Sequence, residues 1–286
     1  MTLLHAHDHG GDGPQLVLLH GYGRSLADWD ASAALLTAGH RVLAVDLPGH
    51  GRSPSLSPWT IPAVVRHIAD TLDAHGVPEA VVVGHSLGGV VAVEYARANP
   101  GRARARAAVN LDGFWWGREY PGADRVGEGL LASAGIIASR EYIAEKISSS
   151  APFGIPADRA EATARAAARP LPDGTWQTLP ERVQALELFG ELHRIFEHGV
   201  TPWLDGVDHP LLVVQAGRQL PPAPGMEWFA EFSARFARGV SEELAALSST
   251  RPTIGVDRID ATHLMNLEAP EAVAALVAAF VRGLPG

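Results

Sequence analysis

Ser86 stands in Gly84-His85-Ser86-Leu87-Gly88, and that spacing is the first feature of the chain with chemical content. A serine hydroxyl attacks well only when a neighbouring base takes its proton. Glycines two residues to either side let the backbone double back and lift the hydroxyl clear. Glycine makes up 30 of 286 residues, so a given serine is flanked this way by chance about once in a hundred. The motif alone is weak, and a glycine-rich turn packing a helix would look the same. Its context is stronger: the apolar run Val81-Val82-Val83 precedes it and a helical pattern starts at Leu87. A strand-to-helix turn would put the Leu87 N–H at a helix N-terminus, facing any negative charge that develops beside the serine. A second donor is expected from the loop after the first long apolar strand, His20-Gly21-Tyr22-Gly23, through the Tyr22 N–H. The competing reading of that loop is a turn capping the helical stretch that begins at residue 26.

A base must reach the serine from the same edge of the sheet. Of 13 histidines, His263 fits best, in Ala261-Thr262-His263-Leu264 between the apolar run Ile254–Ile259 and the closing helix. His85 adjoins the serine but is expected to point away on the turn, and His20 to be structural. His5, His7 and His9 share one face of an extended segment and could imitate a metal site, although an edge hairpin explains them better. No metal or cofactor is therefore expected. Asp112, in Asn110-Leu111-Asp112-Gly113, ends the strand after the serine's helix and reaches the same edge. It would accept the His263 Nδ1–H and stabilise the imidazolium; the alternative is a strand-end turn with Gly113. Asp205, Asp208, Asp257 and Asp260 are weaker candidates, Asp260 lying too near His263 in sequence for the ring to turn back to it. Asp46 is expected to fix its own loop.

The elements that would position these groups alternate. Leu16–Leu19, Val42–Val45, Val81–Val83 and Ala107–Leu111 read as buried strands, with helical patterns over 26–38, 61–75 and 87–98. That alternation predicts an α/β fold, a mostly parallel sheet covered by helices. From about 114 to 208 the chain is helical, alanine-rich and proline-interrupted, with no convincing strand. Strand character returns at Leu211–Val214 and Ile254–Ile259, with helices over about 226–247 and from about 268. The expected organisation is a core domain of 1–113 and 209–286 carrying a helical cap, or lid, of 114–208. Trp115 and Trp116, just after Asp112, are expected to line a substrate pocket under that lid. Trp176 and Trp203 are expected in the core between lid and sheet.

Composition narrows the partners. The chain is 47% hydrophobic and 19% charged with a formal net charge of −9, and it has no basic stripe for nucleic acid. Arg102-Ala103-Arg104-Ala105-Arg106 is too short to be one. Arg118 and Arg218 are isolated, so no basic cluster marks a phosphate site. Cysteine is absent, which excludes disulfides, thiolate metal sites and cysteine nucleophiles. Neither a signal-peptide pattern nor an apolar run of membrane-spanning length is present, so a cytoplasmic location is expected. The expected partner is a hydrophobic small-molecule substrate, with a homodimer left open.

His20-Gly21-Tyr22-Gly23, Asp46-Leu47-Pro48-Gly49-His50-Gly51-Arg52-Ser53, Gly84–Gly89 and His263 followed by Glu268-Ala269-Pro270 together resemble the α/β-hydrolase family along nearly the whole chain. The resemblance implies a serine esterase or lactonase acting through an acyl-enzyme. In many members the acid follows the penultimate strand in a Gly-x-x-Asp-Pro setting. Here that stretch is Gly217-Arg218-Gln219-Leu220-Pro221, with Leu220 in the acid's place. Certain lactone hydrolases resemble the alternative, with the acid at the position of Asp112. An aspartate at the elbow would have signalled a dehalogenase or epoxide hydrolase, and Ser86 disfavours both. Two other readings stay open. One is a carbon–carbon bond hydrolase or cyclase using the same residues. The other is a non-catalytic ligand-binding homologue, supported by the missing acid after residue 217.

Overall fold

The computed structural model describes residues 2–102, 104–220, 225 and 227–285, leaving Pro221 of the stretch above outside the described residues. In chain order the strands are β1 (Ala6–Gly10), β2 (Gln15–Leu19), β3 (Arg41–Val45), β4 (Ala80–His85), β5 (Ala105–Leu111), β6 (Ile137–Ala138), β7 (Ala168–Pro170), β8 (Trp176–Thr178), β9 (Leu211–Ala216) and β10 (Ile254–Ile259). One sheet takes the order β1-β3-β2-β4-β5-β9-β10. All its pairings are parallel except β1 with β3.

The continuous apolar runs of β2 and β4 follow from burial on both faces. Leu16, Val17, Leu18 and Leu19 are all fully buried and alternate between two cores. Val17 and Leu19 pack with α2 (Ile61–Ala74) and α3 (Leu87–Ala98). Leu16 and Leu18 pack with α1 (Asp30–Leu36) and α11 (Pro270–Arg282). Helices on both faces are what the period-two alternation of a fully covered strand requires.

Between β5 and β9 lie α4 (Ala123–Ala132), α5 (Tyr142–Ser150), α6 (Ala157–Ala166), α7 (Arg182–Ile195) and α8 (Val200–Leu204). This segment also holds the antiparallel sheet β6-β8-β7, where the sequence suggested helices alone. Strands of two and three residues are too short to impose a period-two pattern. Trp203 joins the main core and donates its Nε1–H to Glu94 at 2.8 Å. Trp176, expected in the core, is only half-buried on β8, with the Arg165 guanidinium 5.7 Å from its ring centroid. α9 (Glu227–Thr250) follows β9, and α10 (Met265–Glu268) precedes α11.

The N-terminal segment forms no hairpin with β2; β1 instead lies at the sheet edge against β3. His5 turns to Asp46 at 2.9 Å, while the His7 and His9 rings meet edge to face at 4.4 Å. Among the described residues no group of three side chains could hold a metal ion. None of their helices is long and apolar enough to cross a membrane.

The junction of β4 and α3 tolerates no side chain at its glycines. A Cβ on Gly84 would overlap the Gly88 carbonyl, and one on Gly88 would overlap those of Leu19 and His20. Gly88→Ala is expected to lower the free energy of unfolding by about 1–3 kcal/mol, the usual cost of overpacking. Gly127 on α4 meets nothing within 4 Å, so Gly127→Ala should be neutral or stabilising by up to about 1 kcal/mol. Equal denaturation midpoints for the two variants would contradict this account of the turn.

Candidate active site

Ser86 follows β4 directly and sits at φ 53°, ψ −120° as the residue before α3. A non-glycine residue there is strained, and such strain persists only when the surroundings hold it. Here the Ser86 N–H donates to Leu111 O at 2.9 Å and the Gly89 N–H to Ser86 O at 2.9 Å. The turn aims the hydroxyl at His263, whose Nε2 lies 3.1 Å from Ser86 Oγ. On its other side, His263 Nδ1 is 2.7 Å from Asp112 Oδ2.

Asp112 is the other non-glycine residue at positive φ among the described residues, at 52°. Its N–H donates to Val214 O at 2.7 Å, and its Oδ1 accepts from the Ala216 N–H at 3.1 Å. The carboxylate is thus clamped between β5 and β9. Burial works to raise its pKa, but the hydrogen bond and charge of His263, with the Ala216 amide, outweigh this and hold it below the ordinary value. Asp112 therefore stays ionised beside the imidazole.

The stretch after β9 has another occupation. Gly217 N–H donates to Ile259 O at 2.7 Å and Arg218 N–H to Ala261 O at 3.0 Å. The Arg218 guanidinium meets Glu268 at 2.9 Å and Asp260 at 3.3 Å. Asp205 pairs with Arg251 at 2.8 Å, and Asp257 accepts the Arg258 N–H. Within hydrogen-bond reach of His263, only Asp112 supplies a carboxylate among the described residues.

Two contacts that the sequence did not disclose fix the His263 loop. Glu268, almost wholly buried, accepts from the Thr262 N–H at 3.1 Å, from the Thr262 hydroxyl and from Arg218. His85 turns away from the serine hydroxyl, as expected, but its Nε2 lies 2.6 Å from the His263 carbonyl and its ring centroid 4.9 Å from that of His263. Burial, then the charge of His263, push the His85 pKa down to about 3. The ring is neutral and its Nε2–H is the donor. The only sequence signal for this role was its place beside Ser86.

Gly21 packs under the serine, where an added Cβ would stand 3.2 Å from Ser86 Cβ and 3.6 Å from Oγ. His20 holds this loop in place, with Nδ1 2.8 Å from Gly21 O and Nε2 accepting from the Leu47 N–H at 2.9 Å. Asp46 accepts from the Leu26 and Arg52 amides at 2.7 and 2.9 Å and also holds His5 of the N-terminal segment, so it ties its own loop to two others. Leu87, the first residue of α3, has an N–H without an intrahelical acceptor. Tyr22 borders the same cavity and packs against Phe189 at 5.1 Å between centroids.

That cavity, about 1120 Å³, opens over Ser86, Asp112 and His263. Trp115 and Trp116 stack at 4.1 Å on its wall, and Trp115 also stacks on Phe189 at 5.1 Å. Both tryptophans belong at once to the wall and to the main core. Four arginines that looked unrelated in sequence, Arg125, Arg218, Arg238 and Arg258, border the same space. They come from four separate segments, so no linear basic cluster announced them.

Three buried histidines around the site carry a pH dependence. Burial lowers the pKa of His20 to about 4 and of His50 and His85 to about 3. Unfolded, each titrates near 6.5. Below that value the unfolded chain binds protons that the folded chain refuses, so stability falls as pH drops from about 6.5 toward 4. Each contributes up to about 1.4 kcal/mol per pH unit in that window. Denaturant unfolding at pH 7 and pH 5 should reveal the loss, reduced in His50→Gln; a flat profile would contradict buried neutral imidazoles.

The family model for the alpha/beta hydrolase family matches residues 16–276. A putative carbamate hydrolase RutD of Variovorax paradoxus (strain S110) is 35% identical over 144 residues, 49% of this chain and 53% of that protein. Lipase LipV of Mycobacterium tuberculosis is 44% identical over 115 residues, 38% of this chain and 44% of that protein. The chain thus spans about half the length of these curated relatives. Among solved structures, E-2-(acetamidomethylene)succinate hydrolase superposes with a TM-score of 0.75 at 22% identity, covering 98% of this chain and 95% of that one. The enol-lactonase from Burkholderia xenovorans LB400 gives 0.60 at 18% identity, with 98% and 96% covered. A family match over nearly the whole sheet, joined to a strand-to-helix serine turn on a mostly parallel sheet, shows that this chain belongs to the alpha/beta hydrolase family.

Proposed function

We propose that the protein is a serine hydrolase that cleaves a carboxylic ester or lactone through an acyl-enzyme. The observation that carries this reading is the continuous relay from Ser86 Oγ through His263 to Asp112, opening into the aromatic cavity. Ser86 Oγ attacks the carbonyl carbon while His263 Nε2 takes its proton. Asp112 keeps the imidazole in the tautomer with hydrogen on Nδ1 and stabilises the imidazolium. The oxyanion is held by the backbone N–H groups of Leu87 and Tyr22, each such donor being worth about 3–4 kcal/mol in the transition state. His263 then protonates the leaving oxygen. Water, deprotonated by the same imidazole, releases the acid and restores Ser86.

Residues 114–208 would serve as the cap of this site, since Trp115, Trp116 and Phe153 of that segment face the cavity. A hydrophobic acyl or ring portion would lie against them. The names carried by the lipase and the enol-lactonase agree with ester and lactone chemistry at this fold.

Ser86→Ala is expected to lower kcat for 4-nitrophenyl butyrate by about 10³-fold or more, and to abolish labelling by a fluorophosphonate probe. Retention of most activity would remove Ser86 as the nucleophile. Asp112→Asn should cost about 10³- to 10⁴-fold in kcat with little change in KM, because the amide favours the wrong tautomer. A larger loss from Asp205→Asn or Asp208→Asn would relocate the acid.

A further inference from the structure

Of the charged side chains bordering the cavity over Ser86, four are arginines, Arg125, Arg218, Arg238 and Arg258; the carboxylates are Asp112 and Glu242. In a chain of formal net charge −9, this one opening runs against the composition. Arg218 is neutralised by Glu268 and Asp260. Arg238 and Arg258 form no ion pair among the described residues, and Glu242, one turn along α9 from Arg238, pairs with neither.

Both side chains are exposed at the border of the cavity, and Arg258 is linked by a chain of contacts to the strand whose end binds Asp112. Arg258 on β10 is register partner of Gln215 on β9, and it donates to Ser241 Oγ at 3.2 Å. The Ser241 hydroxyl in turn lies 3.0 Å from Oε1 of Gln215, which is buried. Gln215 immediately precedes Ala216, whose amide binds Asp112. Arg238 lies one helical turn before Ser241 on α9. Trp228, thirteen residues before Ser241 and so about 20 Å along the helix, lines the far end, with the Arg125 guanidinium 3.7 Å over its ring.

The donors outnumber the acceptors. A guanidinium offers five N–H groups and accepts nothing. The indole N–H groups of Trp116 and Trp228 are buried without a partner. Both guanidiniums are exposed at the border of the cavity, where an oxyanion on the substrate would match the planar fork of arginine in paired hydrogen bonds and an apolar substrate would not. We propose that Arg238 and Arg258 form an anion subsite, and that the natural substrate is an apolar ester or lactone bearing a carboxylate or phosphate group away from its scissile carbonyl. The nature of the bond cleaved rests on the hydrolase reading above; the preference for an anion does not.

Binding can be read without turnover. In Ser86→Ala protein, fluorescence of the cavity tryptophans is titrated with monomethyl suberate, dimethyl suberate, octyl phosphate and octanol. Monomethyl suberate should bind at least tenfold more tightly than its dimethyl ester, and octyl phosphate more tightly than octanol. The larger of the two preferences identifies the natural anion. Both preferences should shrink about tenfold or more when Arg238→Gln and Arg258→Gln are added, and should weaken as salt rises. Equal affinity for charged and neutral ligands, or a preference that survives the arginine replacements, would overturn the subsite. An anion preference in a protein whose Ser86 neither labels with fluorophosphonate nor turns over 4-nitrophenyl esters would uphold the subsite and overturn the hydrolase reading alone.

Discussion

Ser86 and Asp112 each take left-handed backbone at the ends of neighbouring parallel strands, immediately after the paired residues His85 and Leu111. A side chain in ordinary extended backbone would continue the alternation of its strand and bury itself on one face of the sheet. Reversal at both strand ends lifts the hydroxyl and the carboxylate above the carboxyl edge, where one imidazole can span them. The strain is held by ladder groups: the Ser86 amide on Leu111, the Asp112 amide on Val214, the Ala216 amide on the Asp112 carboxylate. These bonds belong to β4, β5 and β9, all interior strands of the sheet with neighbours on both sides, where backbone opening is unfavourable. Both cores thereby contribute to the placement of the two groups.

Position on this edge determined what could be read from residue types alone. β2 and β4 were legible because strands covered on both faces are apolar throughout, and the elbow because glycine spacing between a strand and a helix has a mechanical meaning. Asp112 was a candidate partner for His263 only once the family resemblance found no acid after Gly217, and a turn with Gly113 explained it as well. β6, β7 and β8 were not legible, being too short to establish a period. Nor was the place of β1, which pairs with β3 rather than β2 and is accompanied by the His5–Asp46 contact across 41 positions, beyond the reach of any local pattern.

Contacts made by long-range packing stayed hidden for the same reason. Nothing in the types of Arg218 and Glu268, 50 positions apart, states that they meet under the His263 loop. His85 drew notice only as a neighbour of the serine, while its actual contact lies 178 positions away. Trp115 and Trp116 resist a choice between pocket and core because each tryptophan is large enough to present one face to each. The arginines of the cavity gather only when α4, α9, β10 and the segment after β9 are packed together.

The carboxylate on β5 also changes what the segment after β9 is free to become. Where an acid must be presented from that segment, its length and course are constrained by the imidazole it serves. Here Gly217–Leu220 borders the cavity while the carboxylate facing His263 comes from the adjacent strand. That part of the wall could therefore change in sequence and in length without moving the Asp112–His263 contact. The carboxylate beside the imidazole and the lining of the cavity are carried by different segments of the chain.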